Sequence, residues 1–230
     1  MSASKVMDAK EAIQKVIQSG DVIMVGGFGL IGSPLTLIDE LTRHDVKELT
    51  IISNNVGEAG KGLGLLLRQG KIKKAIGSYF TSNREVAKWY NEGKLEIGLL
   101  PQGTFSEAIR AGGAGIGGFY TKTAVGTELA KGKAIKVIDG ETYLFEKALK
   151  ANVALIRAKK ADTKGNVVYY KTARNFNPIM ATAADYVIAE VDEIVEAGEL
   201  SPEEIITPHL YVDAMVMSRL VLTKKGVVEV

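Results

Sequence analysis

The sequence predicts an α/β fold: an open, mostly parallel sheet with crossover helices on both faces, plus a glycine-rich loop and a short antiparallel hairpin. Three observations carry this expectation. Short apolar runs alternate with segments of helical periodicity, the order of a parallel sheet with crossovers. Several of those runs are continuously apolar, as in strands covered on both faces. Polar or glycine-rich segments follow three of the strands, where parallel sheets bind their ligands.

The elements follow in order. Ala9, Ala12, Ile13, Val16 and Ile17 fall on one helical face between Asp8 and Gln18, and Ser19-Gly20-Asp21 closes that helix. Val22-Ile23-Met24-Val25 is a strand, and Gly26-Gly27-Phe28-Gly29 and Gly32-Ser33-Pro34 follow it. Pro34 suits the first turn of a helix running to about Arg43. Leu49–Ile52 is a second strand, ending in Ser53-Asn54-Asn55. Leu63 to Gln69 reads as helix, Ile72 to Ser78 as strand, Asn83 to Asn91 as helix and Leu95 to Leu100 as strand.

Pro101-Gln102-Gly103-Thr104 forms a turn at the end of that strand, before a helix from Phe105 to Arg110 that stops at Gly112-Gly113. Ala111 to Gly132 holds too many glycines for a helix interior and reads as a long loop near the site. Asp139-Gly140 is a turn signal for a hairpin of Lys136–Ile138 with Thr142–Glu146. Val153 to Ala158 and Asn166 to Tyr170 are strands around an Asp162–Gly165 turn, and Tyr186 to Val191 is another. No low-complexity linker interrupts residues 1–230, which read as one domain.

Composition narrows the function. The chain has 230 residues, 46% of them hydrophobic, enough for a substantial core. Its 29 basic and 27 acidic residues leave a net charge of +2, so no field for nucleic acid or membrane is expected. There is no cysteine, which excludes disulfides, thiolate metal sites and cysteine nucleophiles. His44 and His209 belong to no ligand-spaced motif, which argues against a zinc site or a Ser-His-Asp triad. Charged residues interrupt the N-terminal stretch, and no run of about 18 apolar residues occurs, so the expectation is a cytoplasmic protein.

The strand-end segments leave two readings each. Gly26–Gly29, between a strand and a helix, is either an anion-cradling turn or a tight structural one; it matches neither the dinucleotide fingerprint nor the P-loop. Ser53-Asn54-Asn55 offers amides to an amide-rich ligand such as a pantetheine arm, or forms an Asx-turn. Gln102 places a side-chain amide where it could stabilise an oxyanion, or is simply a turn residue. Arg110, Lys122, Lys171 and Arg174 are candidate phosphate contacts, though each alone suits a solvated surface. Glu190, Glu193, Glu196 and Glu199 read mainly as a solvated acidic face. No residue stands in a convincing nucleophile context.

Asp21–Pro34, with its Gly26-Gly27-Phe28-Gly29-Leu30-Ile31-Gly32-Ser33-Pro34 run, resembles the signature of the A (α) subunits of family I CoA-transferases. The same pattern continues at Ser53-Asn54-Asn55, Pro101–Thr104, Ile109–Gly115, Thr172–Pro178 and Glu193–Leu200. It spans nearly the whole chain in order and most resembles the 3-oxoacid branch of the family. Ile116-Gly117-Gly118-Phe119 is more like the acetate/acetoacetate type, whereas Ser53–Asn55 and Gly62–Leu67 are more like the succinyl-CoA type.

The resemblance implies a ping-pong transfer of CoA between a short-chain acyl-CoA and a 3-oxoacid such as acetoacetate. The nucleophile would be a glutamate on a separate B subunit, so the working enzyme would be a hetero-oligomer. It implies Gln102 as an oxyanion-hole donor and Asn54 and Asn55 as CoA contacts. Gly26, Gly27, Phe28, Gly29 and Gly32 would line the acyl and CoA site. No metal and no cofactor are implied; the CoA thioester is a substrate. Acetate/butyrate–acetoacetate and 3-oxoadipate transfer are the alternative acid pairs. A non-catalytic acyl-CoA or nucleotide-binding module is the alternative from another class.

Overall fold

The computed structural model describes residues 4–229; the first three residues and the last, part of the stretch read as one domain, lie outside it. In chain order its elements begin with α1 (Ala9–Val16), β1 (Val22–Val25), α2 (Leu35–Arg43), β2 (Leu49–Ile52) and α3 (Leu63–Arg68). Next come β3 (Ile72–Gly77), α4 (Arg84–Asn91), β4 (Glu96–Leu99), α5 (Gln102–Gly113), β5 (Gly118–Thr121), β6 (Ile135–Ile138) and β7 (Glu141–Lys147). The chain continues with β8 (Ala151–Asp162), β9 (Val167–Val168), α6 (Asn177–Ala181), β10 (Ala184–Val195), β11 (Ala214–Met217), β12 (Leu220–Thr223) and β13 (Gly226–Glu229).

The main sheet runs β11-β10-β8-β1-β2-β3-β4, all neighbours parallel, with β9 antiparallel to β8. The chain starts at β1, winds outward to β4, then returns to the other side of β1. β1 and β8 therefore flank the point where winding reverses, the place such sheets bind ligands.

Alternating side chains divide the core between the two faces. Ile23, Val25, Leu49, Ile51, Val153 and Leu155 join α1 to α4 in one cluster. Met24, Ile52, Ala154 and Ile156 join Phe105 and Ile109 of α5 and Met180 of α6 in the other. Right-handed crossovers require this: reversing the winding direction moves the helices to the opposite face. The continuous apolar run of β1 follows directly, since Ile23, Met24 and Val25 are all fully buried.

Several sequence expectations need correction. The proposed loop from Ala111 to Gly132 begins as the last turn of α5 and contains β5, which pairs with β7, while β6 pairs along the other edge of β7. The expected hairpin is thus part of a three-stranded antiparallel sheet. α5 runs through Gly112 and ends at Gly113, as expected, and Gly112 also lets it pack, because a Cβ there would lie 1.9 Å from the Leu149 carbonyl oxygen. Pro101–Thr104 is not a turn before a helix: α5 already begins at Gln102, with Pro101 as its N-cap. β8 and β10 are also longer than the apolar runs suggested, pairing from Ala151↔Ala184 to Asp162↔Val195.

Candidate functional site

The carboxyl ends of β1 to β4 lie along one edge of the sheet. They deliver Gly26, Ser53-Asn54-Asn55, Ser78 and Gln102 to that edge in succession.

After β1 the chain makes a small closed turn. The Phe28 N–H donates to the Ile31 carbonyl at 2.9 Å and the Ile31 N–H to the Phe28 carbonyl at 3.2 Å. Phe28 and Ile31 are each 49% exposed, so the turn presents two apolar side chains to solvent. The segment before α6 holds it from behind. Asn175 Oδ1 accepts from the Gly27 N–H at 3.1 Å, and Asn177 Nδ2 donates to the Gly32 carbonyl at 3.0 Å. The fit explains two glycines: a Cβ on Gly26 would sit 1.8 Å from Asn177 Oδ1, and one on Gly32 would sit 2.3 Å from the Ala173 carbonyl oxygen. Gly32 also has φ +71.

Close approach accounts for Gly26 and Gly32, and most of the turn's N–H groups are engaged within the protein. The N–H groups of Gly26, Gly27, Phe28, Ile31 and Ser33 all donate to protein acceptors. The start of α2 is occupied too. Pro34 supplies no side-chain cap, and Glu190 from β10 does so instead, accepting from the Thr36 N–H at 2.9 Å and the Leu37 N–H at 3.2 Å.

Glu190 therefore departs from the expected solvated face: it is fully buried. Burial pushes its carboxyl up to about 7, against Arg157 and the two amide bonds, which pull it down. Glu193 behaves as expected, pairing with Lys160 at the surface, and Glu196 and Glu199 are exposed. No sequence signal marks Glu190, because its partners are a helix end about 150 residues away.

At the ends of β2, β3 and β4 lies a chain of amides. Asn54 and Asn55 are 1% and 4% exposed, so their side chains face the protein interior. Asn55 Oδ1 accepts from the Gly57 N–H at 2.8 Å, and Asn55 Nδ2 donates to Asn54 Oδ1 at 3.1 Å. Asn54 Nδ2 donates to Ser78 Oγ at 3.1 Å and to Gln102 Oε1 at 3.2 Å, while Ser78 Oγ donates to Gln102 Oε1 at 3.4 Å. Gln102 itself is exposed, and its side chain reaches back over β3 to β2. Phe105, one turn further along α5, meets Phe176 edge-on at 5.3 Å, tying the start of α5 to the segment that holds the glycine turn.

The four candidate cations separate. Arg110 pairs with Glu107 at 2.6 Å and Lys122 with Glu141 at 3.3 Å. Lys171 and Arg174 have no carboxylate partner among the described residues. They border a groove of about 490 Å³ beside Phe28 and Ile31, with Thr172 and Asn175. Sequence reasoning gave no role to Asn175, Asn177 or Ser78. The first two lie in the Thr172–Pro178 motif, so a signal for them was present.

The coenzyme A transferase family matches residues 6–218 of this sequence. This chain belongs to that family. The CoA-transferase chain is 50% identical to the A subunit of the probable succinyl-CoA:3-ketoacid coenzyme A transferase of Bacillus subtilis, over 93% of this chain and 90% of that one. It is 45% identical to the alpha subunit of the acetate CoA-transferase of Escherichia coli K12, over 88% of this chain and 92% of that one. An acyl-CoA transferase of Escherichia coli O157:H7, solved as a thioester complex with CoA, superposes with a TM-score of 0.82 at 22% identity, covering 94% of this chain. That likeness is one of fold, and this CoA-transferase chain spans 47% of that protein's length. No helix among the described residues is long and apolar enough to cross a membrane.

Proposed function

We propose that this chain is the A subunit of a two-subunit 3-oxoacid CoA-transferase, taking CoA from succinyl-CoA to acetoacetate with the nucleophilic glutamate supplied by a B subunit. One observation carries the reading. The sheet edge presents an amide donor, Gln102, while the fully buried carboxylate beneath α2, Glu190, is sealed against that helix's start. The edge can thus stabilise an oxyanion while Glu190 is in no position to attack a substrate.

The chemistry proceeds by exchange at two carbonyls. The partner's glutamate attacks the thioester carbonyl, and CoA leaves as thiolate, giving a mixed anhydride. The thiolate attacks the glutamyl carbonyl, releasing succinate and leaving a glutamyl-CoA thioester. Acetoacetate's carboxylate then attacks that thioester, expelling CoA thiolate and giving a second mixed anhydride, and the thiolate attacks its acetoacetyl carbonyl to give acetoacetyl-CoA and free glutamate. Each attack turns a carbonyl oxygen into an oxyanion, and the Gln102 Nε2 donor is our candidate to meet it. The reaction uses only carboxylates, a thioester and a thiol, so no cofactor is proposed. A carboxylate is a weak nucleophile and its anhydride hydrolyses readily, so a site closed between two chains favours both steps.

The groove beside Phe28 and Ile31 suits a short acyl chain on its apolar side. Lys171 and Arg174 suit a second carboxylate at the far end, which favours a dicarboxylic donor over acetate or butyrate. In this reading Gly26, Gly27, Phe28, Gly29 and Gly32 shape the acyl wall. Asn54 and Asn55, whose amides are engaged internally, support the site from beneath rather than touching CoA.

The test is turnover of the co-purified A–B complex with acetoacetate and succinyl-CoA, acetyl-CoA or butyryl-CoA. Succinyl-CoA is expected to be the preferred donor; preference for acetyl-CoA or butyryl-CoA would reassign the acid pair. Gln102→Ala in that complex is expected to lower kcat by about one to three powers of ten, and an unchanged rate would remove Gln102 from the site.

A further inference from the structure

A glutamine amide is nearly symmetric in shape but opposite in polarity at its two ends. On an exposed side chain such as Gln102, the wrong orientation would aim Oε1 at a developing oxyanion and repel it. What sets the orientation is therefore as important as the residue itself.

The amide chain beneath Gln102 sets it, and its direction is anchored by a group that can only donate. The Gly57 backbone N–H points at Asn55, so the atom it meets must be Asn55 Oδ1. That turns Asn55 Nδ2 toward Asn54, fixing the atom it meets as Asn54 Oδ1. Asn54 Nδ2 then faces Gln102, which must receive it on Oε1, and Ser78 Oγ lies beside the same pair. Gln102 Nε2 is left pointing away from the chain, free to donate. The Gly57 donor is itself pinned: its φ is +57, and a Cβ there would lie 2.5 Å from the Lys61 carbonyl oxygen. Asn83 Nδ2 holds the neighbouring Val56 carbonyl at 3.0 Å.

The geometry points to Asn54, Asn55 and Ser78 as positioning residues that lock Gln102 with its amide donor outward, through a one-way relay running from the Gly57 N–H. Flipping Gln102 would set Nε2 against Asn54 Nδ2, donor against donor, and flipping either asparagine would do the same one step back. Burial of Asn54 and Asn55 keeps water from relieving such a clash. Aligned amides also polarise one another, strengthening the terminal donor. This role rests on the oxyanion reading of Gln102.

The A–B complex provides the test, as a double-mutant cycle. Asn54→Asp keeps the shape but replaces the donor with an acceptor, so Gln102 would turn Nε2 inward and present Oε1. The kcat is expected to fall by about one to three powers of ten, as for Gln102→Ala, with KM for succinyl-CoA changed less than about threefold. In the Gln102→Ala background the same substitution is expected to cost less than about twofold, because residues that act through one another are non-additive.

A raised KM, or an Asn54→Asp loss that persists in full without Gln102, would overturn the positioning role while leaving the oxyanion reading intact. Full activity of Gln102→Ala alone would remove that reading and the relay's purpose with it. Should the buried charge of Asn54→Asp prevent assembly, Ser78→Ala runs the same cycle at a half-buried position. Its expected loss is about twofold to tenfold in kcat, absent in the Gln102→Ala background, and an undiminished loss there overturns the proposal.

Discussion

Glu190 shows how one buried side chain can serve a neighbouring helix. Two N–H groups at the start of α2 point at its carboxylate, and Ser218 Oγ and Arg157 approach its other oxygen at 3.2 Å and 3.8 Å. Burial still dominates and raises its pKa from 4.5 to about 7. Between those values the unfolded carboxyl has lost its proton and the folded one has kept it. Folding then takes up a proton, so this group stabilises the fold fully below pH 4.5, and the contribution fades as pH rises to about 7. Compared with Glu190→Gln across that window, the wild-type chain is expected to lose up to roughly 3 kcal/mol of relative stability. Denaturation of both at a series of pH values checks this, and parallel pH profiles would refute it. Nothing local in the sequence could show this: Glu190 sits three residues before Glu193, in a run of acidic residues, and only the return of β10 beside β8 brings it under α2.

At the scale of elements, the glycine turn after β1 and the start of α5 carry the site. Gly26 and Gly29 look alike in the sequence but meet different surroundings. A Cβ on Gly26 runs into Asn177, whereas one on Gly29 meets nothing within 4 Å and suffers only from φ +63. Gly26→Ala is therefore expected to lower stability by about 1–3 kcal/mol through overpacking, and Gly29→Ala by about 1 kcal/mol through backbone strain. Thermal melts of the two variants compare them directly; equal losses would mean Asn177 yields freely.

The strands β1 and β2 were legible to the residue, since Val22–Val25 is a continuous apolar run that stops at Gly26 and Leu49–Ile52, broken only by Thr50, stops at Ser53. The start of α5 was not, because Pro101 and Gly103 imitate a turn. At Gly103 an added Cβ would meet nothing within 4 Å, so no packing in the helical first turn requires the glycine. The outer halves of β8 and β10 were hidden for a different reason. There the cross-strand partners are charged, Lys160 with Glu193 and Lys159 with Asp192, and neither alternation nor an apolar run announces them.

At the scale of the molecule, the chain brings a shaped surface to one edge of a parallel sheet. The motifs for that surface were readable: the glycine turn, the asparagine pair and Gln102 all reach the edge expected of them. Their division of labour was not, because a sequence does not show that Asn54 and Asn55 turn inward while Gln102 stays exposed. Glu190 is sealed inside against the start of α2. The central claim is that the covalent intermediate forms on the B subunit. Borohydride reduces a glutamyl-CoA thioester to an alcohol, leaving a permanent mass change at the residue that carried it. The assembled complex, incubated with succinyl-CoA, reduced with borohydride and mapped by peptide mass spectrometry, is expected to show that change on a glutamate of the B subunit, with none on this chain. A reduced carboxylate within this chain would contradict the account.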